Sequence, residues 1–342
     1  MHYLRSNLFL FMLTIAVINC ENAFSQDPHF SQYFSSPLTL NPAYTGKFNG
    51  PFRLTANQKN QWPSITNAFT TSTVSYDFSI LNNQIGYYDT WGVGILAVND
   101  KTGNNFIKNN YYSVSTAYSK ALDEDGRSQL TLGFQGTIAQ KRLDLTGADF
   151  ADELNTDGFT GSTMEVFGPN QSMVKYLDLN VGILYAISTN DVNSFYIGGS
   201  FYHVNKPKES FQGGNNFLKP RITLHGGTYL PIGLYSSLHT SFIYQNQANA
   251  SELLGGAALS FNLNHNYELP TELYTGAWYR MGDALIPYLG IETKGIRLGF
   301  SYDVNVSSLR PASLGRGGSE ISIIYTAAFK DPFKKKINCP KY

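Results

Sequence analysis

The chain has 342 residues with 25 basic and 25 acidic side chains, so it carries no formal net charge and no broad field that would draw nucleic acid or an acidic lipid surface. Aromatic residues reach 14%, while charged residues fall to 15% against the ~25% usual in soluble domains. That balance suits a pleated surface meeting a membrane interface, where a ring buries its body and wets its edge.

Residues 1–25 read as a cleavable signal peptide. His2 and Arg5 precede an apolar run from Leu8 to Ile18, and Ala23-Phe24-Ser25 supplies a small-residue cleavage site, so export is implied. The run is too short for the ~20 residues of a spanning helix. A lipoprotein leader acylated at Cys20 is the alternative, but Asn19 stands where a small residue is wanted. Cleavage leaves Cys339 alone, and no intrachain disulfide can form.

Residues 26–51 contain prolines and little periodicity, and are expected at a barrel mouth, on its periplasmic side, or folded inside. From there the period is 2. Leu177, Leu179, Val181, Ile183, Tyr185 and Ile187 alternate with Asp178, Asn180 and Gly182, and Ile296-Leu298-Phe300-Tyr302-Val304 repeats the pattern. Strands are predicted near 52–60, 67–78, 90–99, 111–121, 128–139, 176–188, 193–203, 220–230, 234–245, 252–263, 271–281, 284–292, 295–305 and 319–329. Turn chemistry at 123–126, 190–191, 231–233, 281–283 and 294–295 separates some of them, and longer polar loops at 101–110, 206–219 and 309–318 separate others. Residues 141–172, with Asp149, Asp152, Glu153 and Asp157, read as an inserted loop or plug. A basic tail, 330–342, follows the last strand as a solvated extension or a contact for a periplasmic partner or anionic head groups.

Fourteen alternating segments with short turns and longer loops predict an all-β fold, an antiparallel transmembrane β-barrel of outer-membrane type. In hydrocarbon each unpaired backbone group costs several kcal/mol, and only closure of the sheet pairs them all. A soluble β-sandwich also alternates, but fourteen strands without a second domain would make it unusually large. Gly182, Gly198, Gly226, Gly255 and Gly299 are expected to ease bending or crowded contacts.

No catalytic constellation, cofactor site or metal site emerges, and the reading is of a non-enzyme. The histidines are scattered, and only His225 and His239 are candidates to face each other across the hairpin near Pro231. The acidic residues of 141–172 lack the spacing of a calcium loop. Gly315-Arg316-Gly317-Gly318 precedes a strand, so no helix terminus is available to hold a phosphate.

A specific resemblance runs along the whole mature chain. Gln26-Asp27-Pro28-His29-Phe30-Ser31-Gln32-Tyr33 leads to Leu40-Asn41-Pro42-Ala43-Tyr44-Thr45-Gly46, and Arg53 precedes Asn57-Gln58-Lys59-Asn60-Gln61-Trp62-Pro63. Ser75-Tyr76-Asp77, Gly92-Val93-Gly94-Ile95 and Leu132-Gly133-Phe134-Gln135-Gly136 follow. Arg310-Pro311-Ala312-Ser313, Gly317-Gly318-Ser319-Glu320-Ile321-Ser322 and a Cys339-Pro340-Lys341-Tyr342 ending complete it. In this ordered succession the chain resembles the PorP/SprF family of type IX secretion system outer-membrane proteins.

The resemblance implies a non-enzymatic outer-membrane component, embedded in lipid. It would serve as a docking or anchoring partner for secreted surface proteins such as gliding adhesins, or for the periplasmic machinery. Asn41, Pro42, Arg53, Trp62, Pro63, Arg310, Glu320 and Cys339 become candidate partner-contact or family-motif positions. Segment 26–50 and the tail are the places expected to meet periplasmic partners. A passive porin or small-solute transporter is the rival reading, and it requires an open lumen; a barrel hydrolase is a third.

Overall fold

Alternation makes a two-faced wall, and both faces are in use. The computed structural model describes residues 27–328 except 66–68, 82–83, 104–105, 146–147, 149, 157, 160, 162, 165–171, 190–192, 212–213 and 266–269. The leader 1–25, the tail 330–342 with Cys339, and Asp149 and Asp157 lie outside these residues. The first five strands are β1 (Phe52–Gln61), β2 (Phe69–Ile80), β3 (Thr90–Thr102), β4 (Ile107–Ala121) and β5 (Ser128–Leu143). A two-rung hairpin, β6 (Leu154–Asn155) and β7 (Gly158–Phe159), interrupts the wall. It resumes with β8 (Met173–Ser188), β9 (Ser194–Tyr202), β10 (Arg221–Pro231), β11 (Ser236–Gln247) and β12 (Ala250–Asn262). The last strands are β13 (Thr271–Arg280), β14 (Ala284–Thr293), β15 (Ile296–Asn305) and β16 (Arg316–Thr326).

Apart from β6 and β7, each strand pairs antiparallel with its neighbours in sequence, and β16 returns to β1 with Arg53 opposite Thr326 and Asn60 opposite Ser319. The result is a closed barrel of fourteen strands, the predicted fold. Closure leaves no edge with unpaired N–H and C=O groups. Val74, Ile95, Val114, Phe134, Ile138, Ile183, Leu289 and Ile321 point outward and are exposed, as lipid-facing residues are. Between them Thr55, Asn57, Thr73, Ser75, Asp77, Gln135 and Asn180 point inward and are buried. No helix of the described residues is long and apolar enough to cross a membrane; the crossing elements here are strands.

One rim carries the connections 62–68, 103–106, 144–172, 203–220, 248–249, 281–283 and 306–315, and the other carries 81–89, 122–127, 189–193, 232–235, 263–270 and 294–295. The three longest connections share the first rim, hereafter the long-loop rim. The turn at 281–283 lies on that rim too, although its brevity resembles the opposite, short-turn rim. β1 begins and β16 ends at the short-turn rim.

Two expected segments are corrected, and a third takes one of its expected courses. Residues 101–110 are not a long loop: β3 and β4 continue their ladder until Thr102 pairs with Ile107. Once a partner strand is alongside, polar residues such as Asn99 and Asn110 stay in register and bond each other at 2.7 Å. Residues 141–143 belong to β5, and of the two readings for the rest the described residues fit the loop and not the plug: Leu154, Phe159 and Met164 are exposed. Segment 26–51 was expected at a mouth, on the periplasmic side, or folded inside. Its described residues take the inside course and run through the barrel from rim to rim, meeting both polar and apolar side chains of the inward wall.

Candidate functional site

The site is the lumen itself and the chain that fills it. Residues 27–50 form three short helical turns, Tyr33–Ser35, Pro37–Leu40 and Pro42–Tyr44, with a proline at the first position of the second and third. Proline suits that position, since its missing N–H has no partner inside a helix start. Between the turns Asn41 is fully buried and accepts the Ala43 N–H at 2.8 Å through its side-chain oxygen. Its amide nitrogen reaches the carbonyls of Ile183 at 3.0 Å and Gly199 at 3.1 Å, and His225 Nε2 at 3.0 Å. An amide nitrogen can only donate, so Nε2 accepts and Nδ1–H donates to Tyr44 Oη at 3.0 Å. Asn41 thus ties the segment to β8, β9 and β10 at once.

Close approach of two backbones requires the wall to be bare there. A Cβ on Gly133 would lie 2.3 Å from Ala43 N, and one on Gly182 would lie 1.9 Å from Asn41 Oδ1. Glycine is the residue that leaves such room.

Around this centre the lumen has a packed interior. Tyr33, Phe34, Leu38, Leu40, Ala43 and Tyr44 meet Leu96, Leu184, Tyr196, Ile243, Leu254, Trp278, Ile286 and Tyr288 from the wall. Phe34 lies 5.2 Å from the Trp278 ring and edge-on to Tyr288 at 5.3 Å. Polar anchors flank the apolar part. The buried Glu320 carboxylate accepts the N–H of Ser31 at 2.8 Å and of Gln32 at 3.0 Å, and the Asn57 amide at 2.7 Å. Charge-assisted bonds of this kind are among the stronger ones a backbone makes.

At the short-turn end Arg53 holds Asp77 through two bonds, Nε to Oδ1 at 3.0 Å and Nη2 to Oδ2 at 2.8 Å. The same guanidinium donates to the Tyr44 carbonyl at 3.1 Å, and Asp77 accepts the Gly46 N–H at 2.8 Å. Lys47 donates to Ser119 and Gln129. At the long-loop end Asp27 lies 2.8 Å from His203 Nε2 and 3.2 Å from Arg221. Arg280 bonds Asp303 and the Ser31 hydroxyl, and approaches Glu252 at 3.3 Å.

The candidate positions therefore divide into two groups. Asn41 and Pro42 lie in the segment that fills the lumen, and Arg53 and Glu320 are buried wall residues that each bond that segment. Trp62, Pro63 and Arg310 sit outside it on the long-loop rim, where Trp62 N donates to Gly317 O at 2.8 Å and Ser64 Oγ to Ser313 O at 3.1 Å. These bonds bring the 62–65 and 310–313 connections together, and the Trp62 ring stacks edge-on against Phe69 at 5.4 Å. Pro63 and Arg310 are exposed. His225 and His239 do not face each other: the turn falls at 232–235, beyond Pro231, so His225 pairs with Ile243 and His239 with Tyr229. Asp152 serves its own loop, accepting the Met164 N–H and the Thr163 hydroxyl.

Functional residues not singled out in the sequence include Asp303, Arg280, His203 and Arg221, and His225 was noted only for a pairing with His239. The available signal was charge at inward strand positions, where Arg53, Lys59, Asp77, Arg280, Asp303 and Glu320 all fall. Such groups mark either a wet channel or an occupied one, and alternation is the same in both.

His203 lies past the end of β9, between Asp27 and Asp178, the latter 3.0 Å from Nδ1, with Arg221 beyond Asp27. Burial would lower this imidazole, but the Asp27 charge and the bonds to both carboxylates outweigh it and hold it up at about 9. A folded-state value above the unfolded ~6.5 gives stability fully present below that pH and lost as pH rises through about 9. His203→Gln should therefore lower the melting temperature in detergent at pH 6–7, by on the order of 2–3 kcal/mol of stability, and flatten the decline of the parent between pH 7 and 9.5. An unchanged pH profile would show that this clasp does not titrate as drawn.

A family model described as type IX secretion system membrane protein PorP/SprF matches residues 22–325. None of the curated proteins matches the chain. Among solved structures, the CymD monoaromatic hydrocarbon channel is similar with a TM-score of 0.50 at 9% identity, over 87% of this chain and 93% of that one. The Pseudomonas putida toluene transporter TodX aligns with a TM-score of 0.49 at 9% identity, over 88% and 94%. At such identity the likeness to CymD concerns the barrel fold alone.

Proposed function

This chain belongs to the PorP/SprF family of type IX secretion system membrane proteins, and we propose that it acts as a plugged outer-membrane docking barrel rather than as a channel or an enzyme. The observation that carries this reading is the occupied lumen. A porin needs a wetted path, whereas here Asn41, Tyr44 and Glu320 are at most 1% exposed and the segment's apolar side chains are buried in one cluster with those of the wall. With conduction blocked, the surfaces left for work are the rims. The partners are a secreted surface protein or the periplasmic components of the same system.

The long-loop rim supports cargo contact better than the segment first expected to meet partners, since residues 27–50 are buried. Trp62, Pro63 and Arg310 form a ledge there, next to Leu314, which is 73% exposed on a residue of positive φ. In an outer-membrane barrel the longer loops face outward. A docking role on that face anchors a protein already delivered to the surface.

Two measurements test the proposal together. Deleting the gene should strip a surface cargo from the cell surface, and crosslinking the tagged protein in outer membranes should recover other secretion components or that cargo. Arg310→Glu, at an exposed position, should reduce recovered cargo several-fold while the folded barrel accumulates normally. Normal display of every surface protein after deletion would defeat the docking role.

A further inference from the structure

The outward residues of the wall change character at one sector of the long-loop rim. β4, β5 and β8 have 15, 16 and 16 residues, more than the ~9–11 a tilted strand needs to cross hydrocarbon. Their continuous apolar belt ends at Tyr112, Ile138 and Leu177, which stand opposite one another and are exposed. Two residues nearer the rim the outward row is Asn110, Gln140 and Lys175. Two residues beyond that, Lys108 stands opposite Arg142 on one side and opposite Lys101 of β3 on the other. A strand advances ~6.8 Å in two residues, so at a tilt of ~40° these rows lie about 5 and 10 Å past the apolar belt. That is the depth of lipid head groups, not of hydrocarbon.

Like charges directly opposite each other on one face of a sheet destabilise it. Here Lys101, Lys108 and Arg142 are consecutive cross-strand neighbours, with Lys175 on the next diagonal from Arg142. Among the described residues Asp144 neutralises one of the four, bonding Lys108 at 2.7 Å, and no carboxylate lies within ion-pair distance of Lys101, Arg142 or Lys175. On β10 to β14 the outward residues at this rim are Ile222, Asn246, Ser251, Tyr279 and Leu285, none of them charged. The cations are therefore gathered in one lipid-facing sector, and the anion that would offset their repulsion is supplied from outside the fold. We propose that this sector binds a phosphorylated glycolipid of the outer leaflet, the lipid A part of lipopolysaccharide. Its acyl chains lie along Tyr112, Ile138 and Leu177, and its phosphates meet the Arg142 fork and the lysine ammonium groups. The assignment rests on the outward orientation proposed for the long-loop rim.

The test variant combines Lys101→Gln, Arg142→Gln and Lys175→Gln, which keeps the Lys108–Asp144 pair and the heat-dependent gel mobility of a folded barrel. Binding of bisphosphorylated lipid A, of the same lipid without its phosphates, and of phosphatidylglycerol is measured on the full-length proteins in detergent. The parent should bind lipid A in a salt-sensitive way, and the triple variant roughly tenfold or more weakly. Arg142→Gln alone, at an exposed position, should lose several-fold, which keeps the test available if the triple variant does not fold. The dephosphorylated lipid should bind parent and variant alike, and Lys294→Gln at the short-turn rim should match the parent. Equal affinity of parent and variants for lipid A overturns the inference, as does phosphatidylglycerol bound as tightly as lipid A. Orientation is read separately, from an epitope after Gly214 in the 203–220 connection. Antibody signal there on intact cells supports the outward rim whatever the lipid result. Signal only after the outer membrane is permeabilised overturns the orientation, and the outer-leaflet occupant with it.

Discussion

Removing residues 27–49 should turn a barrel that passes almost no current in a planar bilayer into an open pore. In the intact protein Phe34, Leu38, Asn41 and Tyr44 occupy the middle of the lumen, all buried against the wall. Without them the inward surface combines apolar residues such as Leu184 and Trp278 with Thr55, Asn57, Ser75, Ser115, Thr131, Gln135 and Asn180, groups that water solvates readily. A fourteen-strand wall is wide enough to hold a wet lumen once the occupying chain is gone. Conductance is expected to rise by roughly tenfold or more. Heat-dependent mobility on gels confirms that the shortened protein is folded before current is read. Equal conductance in folded, shortened and intact proteins would remove the observation on which the docking reading stands.

Arg53→Met should be the most damaging single change at the short-turn end. It leaves the Asp77 carboxylate, 0% exposed, with the Gly46 N–H but without its guanidinium, and it frees the Tyr44 carbonyl. Breaking one side of a buried ion pair costs about 3–5 kcal/mol, whereas replacing both partners by apolar groups costs far less. Arg53→Met with Asp77→Leu should therefore recover part of the lost stability, the Gly46 N–H remaining unmet. Thermal unfolding in detergent reads both variants. A single variant as stable as the parent, or a double variant no better than the single, would show that this pair does not hold the segment's exit. The two expected results are linked: weakening the Arg53 clasp should also raise conductance toward that of the shortened protein.

How far the residues themselves reach is clearest from where they stop. The row Leu177 to Ile187 alternates, and β8 places Leu177, Leu179 and Ile183 outward as that alternation requires. A dyad pattern fixes faces because a strand turns its side chains by half a revolution per residue, and fourteen such rows leave closure as the way to pair their backbones in lipid. Glu320 and Arg53 stood out only through the family resemblance; that they are buried follows from a charge set inward on a strand needing a partner.

What the chain pattern did not disclose was the identity of that partner. Segment 27–50 has neither a 2.0 nor a 3.6 period, since it is a run of short turns shaped by the wall, and nothing local distinguishes it from the polar 144–172 connection. The hairpin register at 232–235, which moved His239 away from His225, likewise depends on where a turn settles between two strands. Strands, their faces and their number are properties of local alternation, and the linear order of residues determined them. Which segment occupies the lumen, in which direction it crosses and which glycines it lies against are decided by contacts between residues up to 290 positions apart, such as Gln32 with Ser322. Only the closed tertiary structure brings those residues together.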